Sequence, residues 1–202
     1  MVYSVEFRNP VLELELSSLY RHNLGTFVHS FRVASRSLTA GVEAGFSDEQ
    51  LRILARAALG HDVGKRAISP RILGKRGELD ERERTDMQLH ARLGYKMLKE
   101  TEPVSARIAV AHHEYSLDPY PRRDAVPAAV ERRVHDPYID LASQILAAAD
   151  QADALLSDRP NRGRFSREDT LDILFGQFTG DPNIIPVVVN APTKSDLLRR
   201  ML

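Results

Sequence analysis

The stretch Gly60 to Lys65, "GHDVGK", places His61 beside Asp62 and a lysine three residues later, directly after the apolar helical run "LRILARAAL". The chain holds seven histidines and no cysteine. Thiolate zinc sites, iron–sulfur clusters and disulfides are therefore excluded, and the metal chemistry left is that of His, Asp and Glu. His29 falls in an amphipathic run, His90 in the run after Asp80, and His112-His113 at the end of "VSARIAVA". Asp150 lies in the apolar context "LAAADQADAL", where an ionised carboxylate is costly to bury unless it meets a cation or several hydrogen-bond donors. Neutral imidazoles with carboxylates suit Fe, Mn, Co or Ni, with Zn also compatible, and a shared carboxylate can hold two such ions about 3.5–4 Å apart.

The elements that must position these groups read as helices. "HSFRVASRSLTAGVEAG" has apolar residues at helical spacing, and Ser47 with Gln50 and Asp80 with Glu83 form capping boxes. Ser69-Pro70 starts a further helix, as do the leads into "EPVSARIAVAHHE", "IDLASQILAAADQADALLS" and, capped by Ser166, "REDTLDILFGQF". The strand-like run is "NIIPVVV", near the C-terminus. Pro and Gly between Leu117 and Pro137, and the break from Arg159 to Gly163, flank the Asp150 helix and are placed to shape a site. At 202 residues, 43% hydrophobic and 28% charged, the reading is a single all-α domain over 1–202, with a lead-in at 1–20 and a tail at 186–202.

Formal net charge is zero, with 28 basic and 28 acidic residues, so no global field draws the chain to a nucleic-acid polymer or an acidic membrane. The apolar runs are far shorter than a membrane span, and "MVYSVEFRNP" lacks the basic start and apolar centre of a signal peptide. A cytoplasmic location is the expectation.

The order of His29, "HDVGK", "SPRILGKRGELDERE", "HARLGYKML", "AHHE", "PYP", "AAADQADALLSDRP" and "FTGDP" resembles the HD superfamily of metal-dependent phosphohydrolases, and within it the HD-GYP cyclic di-GMP phosphodiesterases. An HD dipeptide alone is common, whereas this ordered set, from about residue 25 to 185, is specific. The resemblance implies a helical bundle around a binuclear centre. His29, His61, Asp62 and Asp150 would hold one divalent ion, and Asp62, His90, His112 and His113 the other, with Fe or Mn first and Ni, Co or Zn next. It further implies that a metal-bridging hydroxide attacks the phosphodiester of a cyclic dinucleotide, that Lys65 meets a phosphate oxygen, and that Arg159, Arg162 and Tyr120 contact substrate.

Three departures from the family pattern stand out. Gly25 occupies the place of the Glu found in trinuclear members, which points to two metals. The signature tripeptide reads Pro119-Tyr120-Pro121, and Asn161 replaces an aromatic. Alternatives that keep the ligand set are a phosphohydrolase of mononucleotides or small esters, an HD-type di-iron oxygenase, and a cyclic dinucleotide receptor with weak turnover. The expected partner is a small-molecule phosphodiester, with a homodimer allowed. His22 reads as a surface bystander and His135-Asp136 as a loop dipeptide, because Pro137 moves Asp136 out of the helical region. Asp153 reads as support rather than as a ligand. Arg122, Arg123, Arg132 and Arg133 read as a solvated loop face.

Overall fold

The computed structural model of the chain describes residues 9–120, 136–158 and 162–192. Asn9 accepts from the backbone N–H groups of Val11 and Leu12, and with Pro10 in the first turn it opens α1, Pro10–His22. This helix lies mostly in the expected lead-in of residues 1–20, yet its Leu12 and Leu19 are buried. Asn23 caps α2, Leu24–Glu43. The Ser47/Gln50 capping box opens α3, Asp48–Gly60, which runs into a 3-10 turn over Val63–Ala67. Ser69 caps the single turn α4, Pro70–Leu73, and the Asp80/Glu83 box opens α5, Glu81–Leu98. Next come α6, Pro103–Val110, α7, Pro137–Leu156, α8, Arg167–Gln177, and α9, Ile184–Asn190.

No strand runs through the described residues. The β-branched run "NIIPVVV" is α9, because Ile184, Ile185, Val188 and Val189 are all buried and their spacing is that of one helix face. Pro186 sits in the first turn, where backbone N–H groups have no intrahelical partner to lose.

The core forms around α7, which is alanine-rich and buried from Ala147 to Asp150. An apolar helix of this kind belongs at the centre of a bundle, where small side chains admit close neighbours. Val33 of α2, Leu54 of α3, Ile108 of α6 and Ile185 of α9 pack into the same cluster. Leu12, Val63, Leu98 and Ala106 form a second cluster beneath the 3-10 turn. That turn lies hard against α5: a Cβ on Gly64 would come 2.0 Å from the His90 carbonyl oxygen and 2.6 Å from the Gly94 nitrogen. Only glycine permits this approach, and it brings the residues after His61 up to the helix that carries His90. No helix among the described residues is long and apolar enough to cross a membrane.

Candidate metal centre

Six places in the bundle supply the polar groups. His29 is in the middle of α2, His61 is the residue that ends α3, Asp62 leads into the 3-10 turn, His90 is in α5, and Asp150 is in α7. His112 and His113 lie past the end of α6 in a turn, rather than on the helix itself. Leaving the helix lets two adjacent side chains turn toward one point. All of these residues are buried except the partly buried His113.

Asp62 sits between two groups of imidazoles. Its Oδ2 is 3.5 Å from His61 Nε2 and 3.8 Å from His29 Nε2, while its Oδ1 is 3.4 Å from His90 Nε2 and 4.0 Å from His112 Nε2. Asp150 Oδ1 is 2.9 Å from His29 Nε2 and 3.8 Å from His61 Nε2, and the Nε2 atoms of His90 and His112 are 3.3 Å apart. Bonds of about 2.0–2.2 Å to one ion place neighbouring donors about 3–3.5 Å apart, so these spacings are those of ligand edges. His61 Nε2 and Asp62 Oδ1 are buried with no hydrogen-bond partner, an expensive arrangement unless a cation completes it. Among the described residues, His29/His61/Asp62, His61/His112/Asp150 and His90/His112/His113 each converge closely enough to hold an ion. No Glu joins them, and Gly25 is exposed near the start of α2.

Backbone carbonyls fix three of the rings from behind. The Nδ1 atoms of His61, His90 and His112 lie 2.7, 2.6 and 2.6 Å from the carbonyl oxygens of Ala58, Met87 and Ala109, each three residues earlier. A proton on Nδ1 donates to that oxygen and leaves Nε2 with its lone pair. Burial keeps His90, His112 and His113 neutral: it pushes His90 down to about 4 and His113 down to about 3, and holds His112 well below the usual imidazole range. Burial works against the charged form of Asp62 too, but the Lys65 ammonium beside it holds it ionised. Lys65 Nζ donates to Asp62 Oδ2 at 2.7 Å, because three residues per turn of a 3-10 helix stack residue 65 over residue 62.

The neutral imidazoles carry a stability consequence. Their folded-state values lie below the ordinary 6.5, so as pH falls from about 6.5 toward 4 the unfolded chain takes up protons that the folded chain refuses. His29, which Asp150 and Asp153 raise in spite of burial, gains its stabilisation as pH falls toward 6.5 and adds little further change below it. The melting temperature of metal-depleted protein should therefore fall steadily between pH 6.5 and 4.5 in a fluorimetric melt. A flat or rising profile would show that the rings are not held neutral.

The other residues singled out in the sequence have varied positions. His22 is tied to the Ile68 carbonyl oxygen at 2.9 Å and is partly buried, outside the ligand groups. Asp136 is extended and caps α7 through Tyr138 N–H. Tyr120 stacks on the His113 ring, with centroids 4.3 Å apart, and its N–H donates to the His113 carbonyl. Arg162 donates to the carbonyls of Ala154, Leu155 and Gly163 and lies over the Phe165 ring. Arg159, Asn161, Pro121 and the four loop arginines lie outside the described residues. The sequence reading missed Arg32 and Arg36, which hold Asp153; their positions three and seven residues after His29 on one helix face were the available signal.

An all-helical bundle that gathers buried His and Asp side chains about one carboxylate is the architecture of an HD domain. The model of that family, described as "HD domain", matches residues 26–155, and the chain belongs to it. Its curated relatives bear out the resemblance to the cyclic-dinucleotide phosphodiesterases. The chain is 37% identical over 140 residues to the cyclic di-GMP phosphodiesterase response regulator RpfG of Xanthomonas campestris, covering 67% of this chain and 34% of the relative. It is 37% identical over 148 residues to the 3'3'-cGAMP-specific phosphodiesterase 3 of Vibrio cholerae, covering 72% of this chain and 30% of the relative. The chain thus spans about a third of the length of these relatives. Among solved structures, the HD domain of the L. monocytogenes phosphodiesterase PgpH, in complex with cyclic-di-AMP, matches with a TM-score of 0.58 at 17% identity, over 88% of this chain and 92% of that one. That likeness is one of fold.

Proposed function

We propose that the chain is a two-metal phosphodiesterase that hydrolyses a cyclic dinucleotide, cyclic di-GMP first. The observation that carries this reading is Asp62, whose two carboxylate oxygens face separate imidazole groups, as a bridging ligand must. The relatives' activities on cyclic dinucleotides support the choice of substrate. His29, His61, Asp62 and Asp150 are assigned to one ion, and Asp62, His90, His112 and His113 to the other. The donor set of imidazoles and carboxylates suits Fe or Mn, with Ni, Co and Zn next. Two bound divalent ions would supply an activated water and neutralise charge on the phosphoryl group.

The chain's own residues do the remaining work. Asp62 and Asp150 place two carboxylates in a buried setting, which concentrates negative charge where cations are wanted. The imidazoles are aimed by the groups behind them, so little reorganisation is needed when charge changes. Lys65 is within reach of Asp62 and is assigned to a non-bridging phosphate oxygen, a contact that strengthens as charge develops there. Lys65→Ala should therefore lower kcat by about 10- to 100-fold while changing KM less, which steady-state kinetics would separate. Arg159 and Arg162 are both assigned to substrate phosphates, although Arg162 also serves the carbonyls of Ala154, Leu155 and Gly163. Tyr120 is assigned to the substrate wall and also holds His113 in place.

The direct test incubates Mn2+- or Fe2+-loaded protein with cyclic di-GMP, 3'3'-cGAMP, cyclic-di-AMP and p-nitrophenyl phosphate, and follows the products chromatographically. Linear dinucleotide or mononucleotide from a cyclic substrate is expected. Turnover of the simple ester alone would replace the cyclic dinucleotide with a smaller phosphate ester. Oxygen uptake without phosphate chemistry would point to an oxygenase.

A further inference from the structure

The rings of the centre are not supported alike. His61, His90 and His112 rest on neutral carbonyls of their own chain segment, three residues back. His29 instead has its Nδ1 2.7 Å from Oδ2 of Asp153, a carboxylate that belongs to a different helix, α7. Asp153 is clamped in turn. Arg32 donates from Nε to Oδ1 at 2.8 Å and from Nη2 to Oδ2 at 2.9 Å, and Arg36 Nε lies 3.6 Å from Oδ1. Arg36 is itself anchored by Nη1 to the carbonyl oxygens of Val188 at 2.7 Å and Val189 at 3.3 Å, in α9. His29, Arg32 and Arg36 share one face of α2, so the clamp joins α2, α7 and α9 behind a single ring.

Two differences between the halves of the centre therefore act in the same direction. The His29 half draws on the carboxylates of both Asp62 and Asp150, whereas the other half has Asp62 and three imidazoles. A carboxylate behind a ligating imidazole also fixes the ring and makes its other nitrogen a stronger donor than a neutral carbonyl does. The two arginines keep the negative charge on Asp153, so a proton stays on His29 Nδ1 and Nε2, 2.9 Å from Asp150 Oδ1, is the nitrogen turned toward the ion.

We propose that the two ions are held unequally, the one on the His29 side more tightly, and that Asp153, clamped by Arg32 and Arg36, is the positioning residue responsible. This rests on the two-metal reading above. Asp153 binds no metal in this account and touches no substrate; it acts through His29. A consequence is that the packing of α9, through Arg36, bears on one ion and not on the other.

The test is a calorimetric titration of metal-depleted protein with Mn2+, with the bound total measured by elemental analysis. The wild type should bind in two phases, tight then weak, totalling two ions per chain. Asp153→Asn should weaken the tight phase by about 10- to 100-fold and leave the weak phase in place. Arg32→Gln, at a partly exposed side chain, should weaken the tight phase by a smaller factor and carries the test if Asp153→Asn does not fold. Asp153→Glu, which keeps the charge, should recover part of the loss, which a purely space-filling role would not produce. Two ions bound with equal affinity, or a weakening of both phases together in Asp153→Asn and Arg32→Gln, would overturn the inference and leave the two-metal reading standing. A total of one ion would overturn both.

Discussion

Asp62→Ala should empty the centre of both ions and abolish hydrolysis, while the helical content of the protein stays as it is in the wild type. The expectation follows from the geometry of one carboxylate. Asp62 Oδ2 faces His29 and His61, and Oδ1 faces His90 and His112, so its two oxygens are divided between the two sets. Losing Asp150 should remove donors chiefly from the His29 side, whereas losing Asp62 removes one from each side and the charge between them. The rate should fall by at least about 10^2- to 10^3-fold, the scale seen when one preorganised group that stabilises transition-state charge is lost. Elemental analysis and a hydrolysis assay check this together, with His22→Ala as the control. His22 serves the Ile68 carbonyl and no ligand group, so its loss should leave metal content unchanged. Equal metal loss from the two substitutions would contradict the assignment of Asp62.

Gly64→Ala should be the most damaging glycine-to-alanine change among the described residues. The added Cβ would meet the His90 carbonyl oxygen at 2.0 Å, the Gly94 nitrogen at 2.6 Å and the His90 carbonyl carbon at 2.9 Å. These are backbone atoms of α5, so no side chain can swing aside to make room. Relief requires the 3-10 turn and α5 to move apart, at a cost of about 3 kcal/mol or more. For a chain of this size that is a fall of roughly 6–12 °C in melting temperature. The same displacement separates Asp62 from His90, so metal content should drop with stability. Gly77→Ala is the matched control, since a Cβ there has nothing within 4 Å. A Gly64→Ala protein with wild-type melting and full metal content would show that the turn and α5 are not in the contact described.

Much of this was legible because the signals are local. The Ser47/Gln50 and Asp80/Glu83 boxes form as read, and each involves residues three apart. The ligands were legible because their order along the chain is specific even though their meeting point is not local. The first helix was less legible, since Leu12, Leu14 and Leu16 alternate with Glu13 and Glu15, a period of two that competes with the helical reading. In α9 the β-branched composition favours a strand, and burial of the 184/185/188/189 face against the bundle overrides that preference. The turn that holds His112 and His113 depends on where α6 stops, and helix ends are poorly marked when no glycine or cap follows. The clamp on Asp153 joins α2 to a residue 121 positions after Arg32, and nothing in either segment names the other.

The central claim is that these side chains form a two-ion centre that cleaves a cyclic dinucleotide. One experiment addresses it most directly: elemental analysis of protein purified without added ions and then loaded with Mn2+, followed by a single-turnover reaction of that same sample with cyclic di-GMP. Two ions per chain, with conversion of the cyclic substrate to a linear dinucleotide or mononucleotide, is the predicted result. Fully folded protein that binds no more than one ion per chain, or that binds two and leaves every cyclic dinucleotide intact, would contradict it.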